Sequence, residues 1–193
     1  MSKKLPQIFL VRHGETEWSK SGRHTGRSDI PLTEKGETAA AWLVERLPPR
    51  AFNAVLTSPS QRARRTCELA GFGSRAEIDD DLAEWDYGQY EGVTTPDIHK
   101  QHPGWNLFRD GCPDGETGAD VALRADAVIE KIRDIAGDVL IFSSSHFLRV
   151  LAARWLGLGP EAGLFFVLDT TSISILGYEH NLDEPVIRSW NET

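Results

Sequence analysis

Arg12 and His13 stand side by side directly after the apolar run Ile8-Phe9-Leu10-Val11 and before Gly14-Glu15-Thr16. A neutral imidazole is a competent nucleophile towards phosphorus, and an adjacent guanidinium both neutralises phosphate charge and disfavours the protonated ring. Two further places in the chain set polar groups where a short apolar run ends. Ser58 and Arg62 come just after Asn53-Ala54-Val55-Leu56-Thr57, and His146 comes just after Val139-Leu140-Ile141-Phe142-Ser143. Adjacent parallel strands end on one edge of a sheet, so groups at these positions can converge in a single pocket. Two arginines suit bidentate contacts to phosphate oxygens, and a helix opening after Ser145, with Phe147 in its first turn, would add backbone donors. With one histidine attacking, the other, held cationic by the bound phosphate, would stabilise charge on the equatorial oxygens. A leaving alkoxide also needs a proton. Glu84, in Glu84-Trp85-Asp86-Tyr87-Gly88, is the preferred acid because its aromatic neighbours would partly desolvate it; Asp86 and Glu91 are rivals.

The segments that must position these groups alternate short apolar runs with stretches of helical period, which predicts α/β architecture. Strands are expected at Ile8 to Val11 and Asn53 to Thr57. The helix between them is capped by Thr33 and stopped near Leu47 by Pro48-Pro49. Ser58-Pro59-Ser60-Gln61 reads as a capping box opening a helix through Arg62 to about Ala70. Glu77-Ile78 fits a short edge strand. Residues 79–118 are rich in Gly, Pro, Asp and aromatics, with one short helix near Pro96 to His102; this stretch is expected to be an irregular lid or specificity wall. An amphipathic helix follows from Ala119 to Ala136, then a buried strand at Val139 to Ser143 and a helix from Leu148 to Leu156. Two strands, Ser172 to Leu176 and Pro185 to Trp190, close the chain. Trp42 and Trp155 fall on helices and are expected in the core.

Composition narrows the classes further. The 193 residues and 40% hydrophobic content suit one domain with one substantial core. Met1-Ser2-Lys3-Lys4-Leu5-Pro6 leads into four apolar residues, too few for a signal-peptide core, and no run is long enough to span a membrane. A cytoplasmic protein is expected, with no membrane partner. The net charge of −8 argues against nucleic-acid binding, which needs a basic face. Arginines are nonetheless concentrated early in the chain, at Arg12, Arg23, Arg62, Arg64 and Arg65, of which at least one of the last three belongs to a solvated helix face. Cys67 and Cys112 lack metal-knuckle or disulfide spacing, and His99-Lys100-Gln101-His102 lacks a third ligand. Gly111, Gly115 and Gly118 form neither a Walker loop nor a dinucleotide fingerprint, so no nucleotide cofactor is implied.

Taken together the chain resembles the histidine phosphatase superfamily, also called phosphoglycerate mutase-like. The match runs from Leu10-Val11-Arg12-His13-Gly14-Glu15-Thr16 through Gly22-Arg23-His24-Thr25-Gly26 and Leu32-Thr33-Glu34-Lys35-Gly36. It continues over Ser58-Pro59-Ser60-Gln61-Arg62-Ala63 and Glu84-Trp85-Asp86-Tyr87-Gly88 to Ser145-His146. The resemblance implies a three-layer α/β/α sandwich with a mostly parallel central sheet, a covalent phosphohistidine intermediate, and neither metal nor cofactor. It makes His13 the nucleophile, Arg12, Arg62 and His146 the phosphate pocket, and Glu84 the proton donor, with Ser19, Thr25 and Gly26 on the substrate side. One departure is Ser145, where the resemblance suggests glycine before the second histidine; a Cβ there would narrow the pocket or change the backbone angle. Mutases of the family typically carry a basic insertion after the Glu-x-x-Tyr-Gly segment. Here Gly92 to Gly118 holds only Lys100 and Arg109, so hydrolysis is favoured over mutase transfer, and a silent phosphate-binding module would be expected to have lost the nucleophile or the acid. Trp105, Phe108, Asp110-Gly111, Pro113, Gly115-Glu116, Arg124 and Asp126 are similar to the sugar bisphosphatase-like branch. The implied partner is therefore a small phosphorylated metabolite, with a homodimer compatible with the chain.

Overall fold

The computed structural model describes residues 5–48 and 52–193, so Met1 to Lys4 and Pro49, which entered the reading of the leader and of the helix stop, lie outside the described residues. The elements run in the order β1 (Ile8–Arg12), α1 (Glu17–Ser21), α2 (Glu34–Arg46), β2 (Ala54–Thr57), α3 (Gln61–Leu69), β3 (Ala76–Ile78), α4 (Thr95–Gln101), α5 (Leu107–Asp110), α6 (Gly118–Arg133), β4 (Val139–Ser143), α7 (Ser145–Trp155), β5 (Ile173–Tyr178) and β6 (Pro185–Glu192). Six strands form one sheet in the order β3-β2-β4-β1-β5-β6. β3, β2, β4 and β1 run parallel, while β5 and β6 are antiparallel additions at the other edge.

Alternation along the strands builds two cores. Ile8, Leu10, Leu56, Val139 and Ile141 face α6 and α7, whereas Phe9, Val11, Val55, Leu140 and Phe142 face α2 and α3. This is the expected helix-sheet-helix layering, with β4 lying between β1 and β2. The three strand ends bearing the polar residues are therefore neighbours on one sheet edge.

Several local expectations change once distant groups enter. α3 is not opened by a capping box: Ser60 makes no side-chain cap bond, and the Gln61 N–H donates instead to Asp29 Oδ1 at 2.8 Å. α7 starts three residues earlier than its periodicity suggests, because the Glu84 carboxylate takes the N–H groups of His146 (3.1 Å) and Phe147 (2.8 Å). Residues 79–118 are more ordered than an irregular excursion. They contain α4 and α5, and Leu82, Trp85, Tyr87, Leu107 and Phe108 are buried in the core beside α6 and α7. Trp155 is core, but Trp42 is 58% exposed on the outer face of α2, contrary to expectation. Arg64 and Arg65 are solvated and Arg62 is buried. Among the described residues no helix is long and apolar enough to cross a membrane.

Candidate active site

At the carboxyl edge of β1 a cavity of about 320 Å³ is lined by Arg12, His13, Ser19, Arg23, His24, Thr25, Glu84, Tyr87, Ser145, His146 and Arg149, among others. The turn carrying His13 is held on both sides. The His13 N–H donates to the Ser143 carbonyl (2.9 Å), and the Gly14 N–H donates to Thr66 Oγ1 on α3 (3.0 Å). His13 is buried, and its Nδ1–H donates to the Gly14 carbonyl at 2.7 Å, which leaves the lone pair on Nε2. Burial first, then the charges of Arg62 and Arg12, hold its pKa well below the ordinary imidazole value. The ring is thus kept neutral.

Both arginines are immobilised by backbone carbonyls. Arg12 donates through Nη1 to the Leu168 carbonyl. Arg62, buried on α3, donates through Nη1 to Ser28 O (3.0 Å) and through Nη2 to Thr25 O (2.9 Å) and Gly26 O (3.1 Å). Burial lowers the pKa of each, yet a guanidinium remains charged at neutral pH. The Nε of each arginine is buried without a hydrogen-bond partner among the described residues.

Of the three carboxylates singled out in the sequence, Glu84 is the one that lines this cavity. Its Oε1 accepts from Trp85 N (3.0 Å) and Phe147 N (2.8 Å), and its Oε2 accepts from His146 N. Asp86 instead accepts from Gly88 N and pairs with Arg27 at 2.7 Å. Glu91 holds the 26–28 loop through Gly26 N and Ser28 N.

His146 lies on the first turn of α7, with Nδ1 2.6 Å from the Tyr87 hydroxyl. Burial raises the Tyr87 pKa well above its ordinary value, so this O–H donates and the imidazole proton sits on Nε2. Burial and the charges of Arg149, His24 and Arg12 push His146 well below the ordinary imidazole range. The free protein therefore presents a neutral ring at His146; the cation expected from the sequence is one held by bound phosphate.

The remaining expected residues divide. Ser19 and Thr25 line the cavity, although Ser19 Oγ also closes the capping box of α1 with Thr16. Gly26 is set behind it: its N–H is bound by Glu91, and a Cβ would fall 2.5 Å from the Trp85 carbonyl, so glycine is required by close packing. Ser58 lines a neighbouring cavity of about 460 Å³ with Asp80, Asp86, Glu116 and Arg124, and it bonds to Ser60. Phe147 is fully buried and its N–H is bound to Glu84, which removes it from the expected phosphate donors. Ser145 is not among the non-glycine residues with positive φ, so its Cβ strains nothing. Lys100 and Arg109 do not line the cavity.

Sequence reasoning gave no role to Tyr87, His24 or Arg149. His24 donates to the Val93 carbonyl (2.7 Å) and stacks near His146, with ring centroids 6.1 Å apart. Arg149 sits over Phe108 at 4.5 Å, and burial lowers its pKa to about 10, so it remains cationic. Its spacing of three from His146 was the available signal, because such residues share a helix face.

Known proteins resemble this chain over most of its length. An acid phosphatase of Mycobacterium tuberculosis is 41% identical, the match covering 91% of this chain and 88% of that protein. Sedoheptulose 1,7-bisphosphatase of Saccharomyces cerevisiae is 35% identical over 97% of this chain and 93% of its own. The solved structure of the open reading frame Rv3214 of Mycobacterium tuberculosis shares the fold with a TM-score of 0.92 at 38% identity, covering 97% of this chain and 98% of that one. The sequence pattern of the family spans residues 8–193, nearly everything that builds the sheet and its edge, and the chain belongs to the histidine phosphatase superfamily, branch 1.

Proposed function

We propose that this chain is a metal-independent phosphomonoester hydrolase that acts in the cytoplasm on a small phosphorylated metabolite, a sugar phosphate or bisphosphate, through a phosphohistidine at His13. The observation that carries the reading is the buried neutral imidazole of His13, with its Nδ1–H fixed on Gly14 O and two guanidiniums close enough to depress its protonation. In the first step the Nε2 lone pair attacks phosphorus, the ester P–O bond breaks, and protonated Glu84 delivers its proton to the leaving oxygen. In the second, Glu84 as carboxylate takes a proton from water while the water oxygen bonds to phosphorus and the N–P bond breaks. Arg12 and Arg62 stabilise the charge on the transferring group.

Arg23 and Arg149 extend the cationic lining of the cavity, which suits a substrate carrying a further anionic group, and the yeast relative is named as a bisphosphatase. The absence of Lys100 and Arg109 from the wall favours release to water over retention of a doubly phosphorylated intermediate. Steady release of phosphate from p-nitrophenyl phosphate and from sugar phosphates in EDTA is the expected result; no turnover of any ester overturns the reading.

Arg62→Ala tests the pocket. A loss of about 2 to 4 kcal/mol in transition-state stabilisation is expected from kcat/KM. The melting temperature should fall as well, because the carbonyls of Thr25, Gly26 and Ser28 lose their donors. A lowered Tm with kcat/KM intact would confine Arg62 to a structural role.

A further inference from the structure

Three of the four buried polar side-chain atoms without a hydrogen-bond partner among the described residues are Arg12 Nε, Arg62 Nε and Ser144 Oγ. Two belong to the arginines flanking His13. The third belongs to a residue with no role so far. Ser144 is fully buried and is the N-cap residue of α7, yet its hydroxyl makes no cap bond, since Glu84 has taken the helix N–H groups.

Strand register gives its location. Arg12 pairs with Ser143 across β1 and β4, and the His13 N–H donates to the Ser143 carbonyl, so one residue further His13 stands opposite Ser144. Alternation gives its direction. Leu140 and Phe142 face α2 and α3, whereas Ser143 turns to the other side and donates to the Leu82 carbonyl at 2.6 Å. Ser144 is still extended, with φ −118° and ψ 168°, so its side chain returns to the α3 face. On β1 the same alternation runs Phe9, Val11, His13. His13, Ser144 and the α3 residue Arg62 therefore share one side of the sheet edge.

We infer that Ser144 Oγ is a hydrogen-bond donor to the phosphoryl group transferred to His13, acting beside Arg62 Nε at the end of β4. The inference rests on the hydrolase reading above and assigns the neutral donor of its phosphate pocket. An unpaired hydroxyl buried at this point is costly in the free protein and gains a partner when a phosphoryl oxygen arrives. A serine also leaves the positive charge of the pocket to the two guanidiniums. His146, set back on α7 against Tyr87, then contributes an Nε2–H from the cavity wall.

Ser144→Ala is the test, read by kcat/KM on p-nitrophenyl phosphate, by inhibition with inorganic phosphate, and by Tm. The expected result is a loss on the order of 100-fold in kcat/KM and weaker phosphate inhibition. Tm should hold or rise, because the substitution removes an unpaired polar group. Ser144→Cys, a poorer donor of similar size, should fall between the two. Unchanged turnover and phosphate inhibition in Ser144→Ala, with the unsubstituted protein active, overturns this inference and leaves the hydrolase reading standing. An unsubstituted protein without turnover would instead remove the hydrolase reading itself.

Discussion

His13→Ala is expected to carry no label after incubation with a radiolabelled phosphate ester, under conditions in which the unsubstituted chain yields an acid-labile, base-stable phosphoprotein. Turnover should fall by at least about 10⁴-fold, since the covalent route is lost and only binding and charge stabilisation persist. The size of the effect follows from how the site is built. Nδ1 is tied to the Gly14 carbonyl, the ring is buried, and Arg12 and Arg62 oppose its protonation. Each feature serves a lone pair on Nε2. The same features set the pH dependence. A nucleophile whose pKa lies below the ordinary 6.5 remains deprotonated as the pH falls through that value, so kcat/KM should be sustained below pH 6.5. Undiminished labelling of His13→Ala, or an acid limb centred on an ordinary imidazole pKa, would reject His13 as the attacking group.

Glu84→Gln should separate substrates by leaving group. A sugar alkoxide needs a proton as it departs and nitrophenolate does not, so a loss of about 10²- to 10⁴-fold is expected on sugar phosphates and a far smaller one on p-nitrophenyl phosphate. The structure adds a second consequence. The Glu84 carboxylate accepts three backbone N–H groups, two of them from the first turn of α7. An amide places an NH₂ where one of those acceptors was, so a stability loss of about 1 kcal/mol is expected from the weakened cap. Thermal unfolding measured beside the two kinetic series distinguishes the roles. Equal losses on both esters would leave Glu84 as a cap and return the proton to Asp86 or Glu91, which here hold Arg27 and the 26–28 loop.

The difference between Glu84 and its rivals illustrates what a sequence can carry. All three carboxylates lie within eight residues, and nothing in their spacing says which one turns towards His13. The choice depends on which backbone donors each carboxylate meets, and those belong to α7, to the 26–28 loop and to Gly88. The Asp86–Gly88 bond is local, but the bonds of Glu84 to α7 and of Glu91 to the 26–28 loop span more than 60 residues and leave no local trace.

The strands, the pairing of Arg12 with His13 at the end of β1, and the recurrence of polar residues at the ends of β2 and β4 were all legible in the chain. They depend on short-range patterns: apolar runs of strand length, turn residues, and helical periodicity. Tertiary structure alone decided that α7 begins at Ser145 and that Ser58 faces a second cavity. It also decided that Trp42 stays in solvent and that Ser144, whose hydroxyl has no partner among the described residues, stands opposite His13. The physical reason is common to these cases. A residue's neighbours along the chain determine which element it joins, but which donors, charges and apolar surfaces meet its side chain depends on register between strands and on caps supplied from far away in sequence.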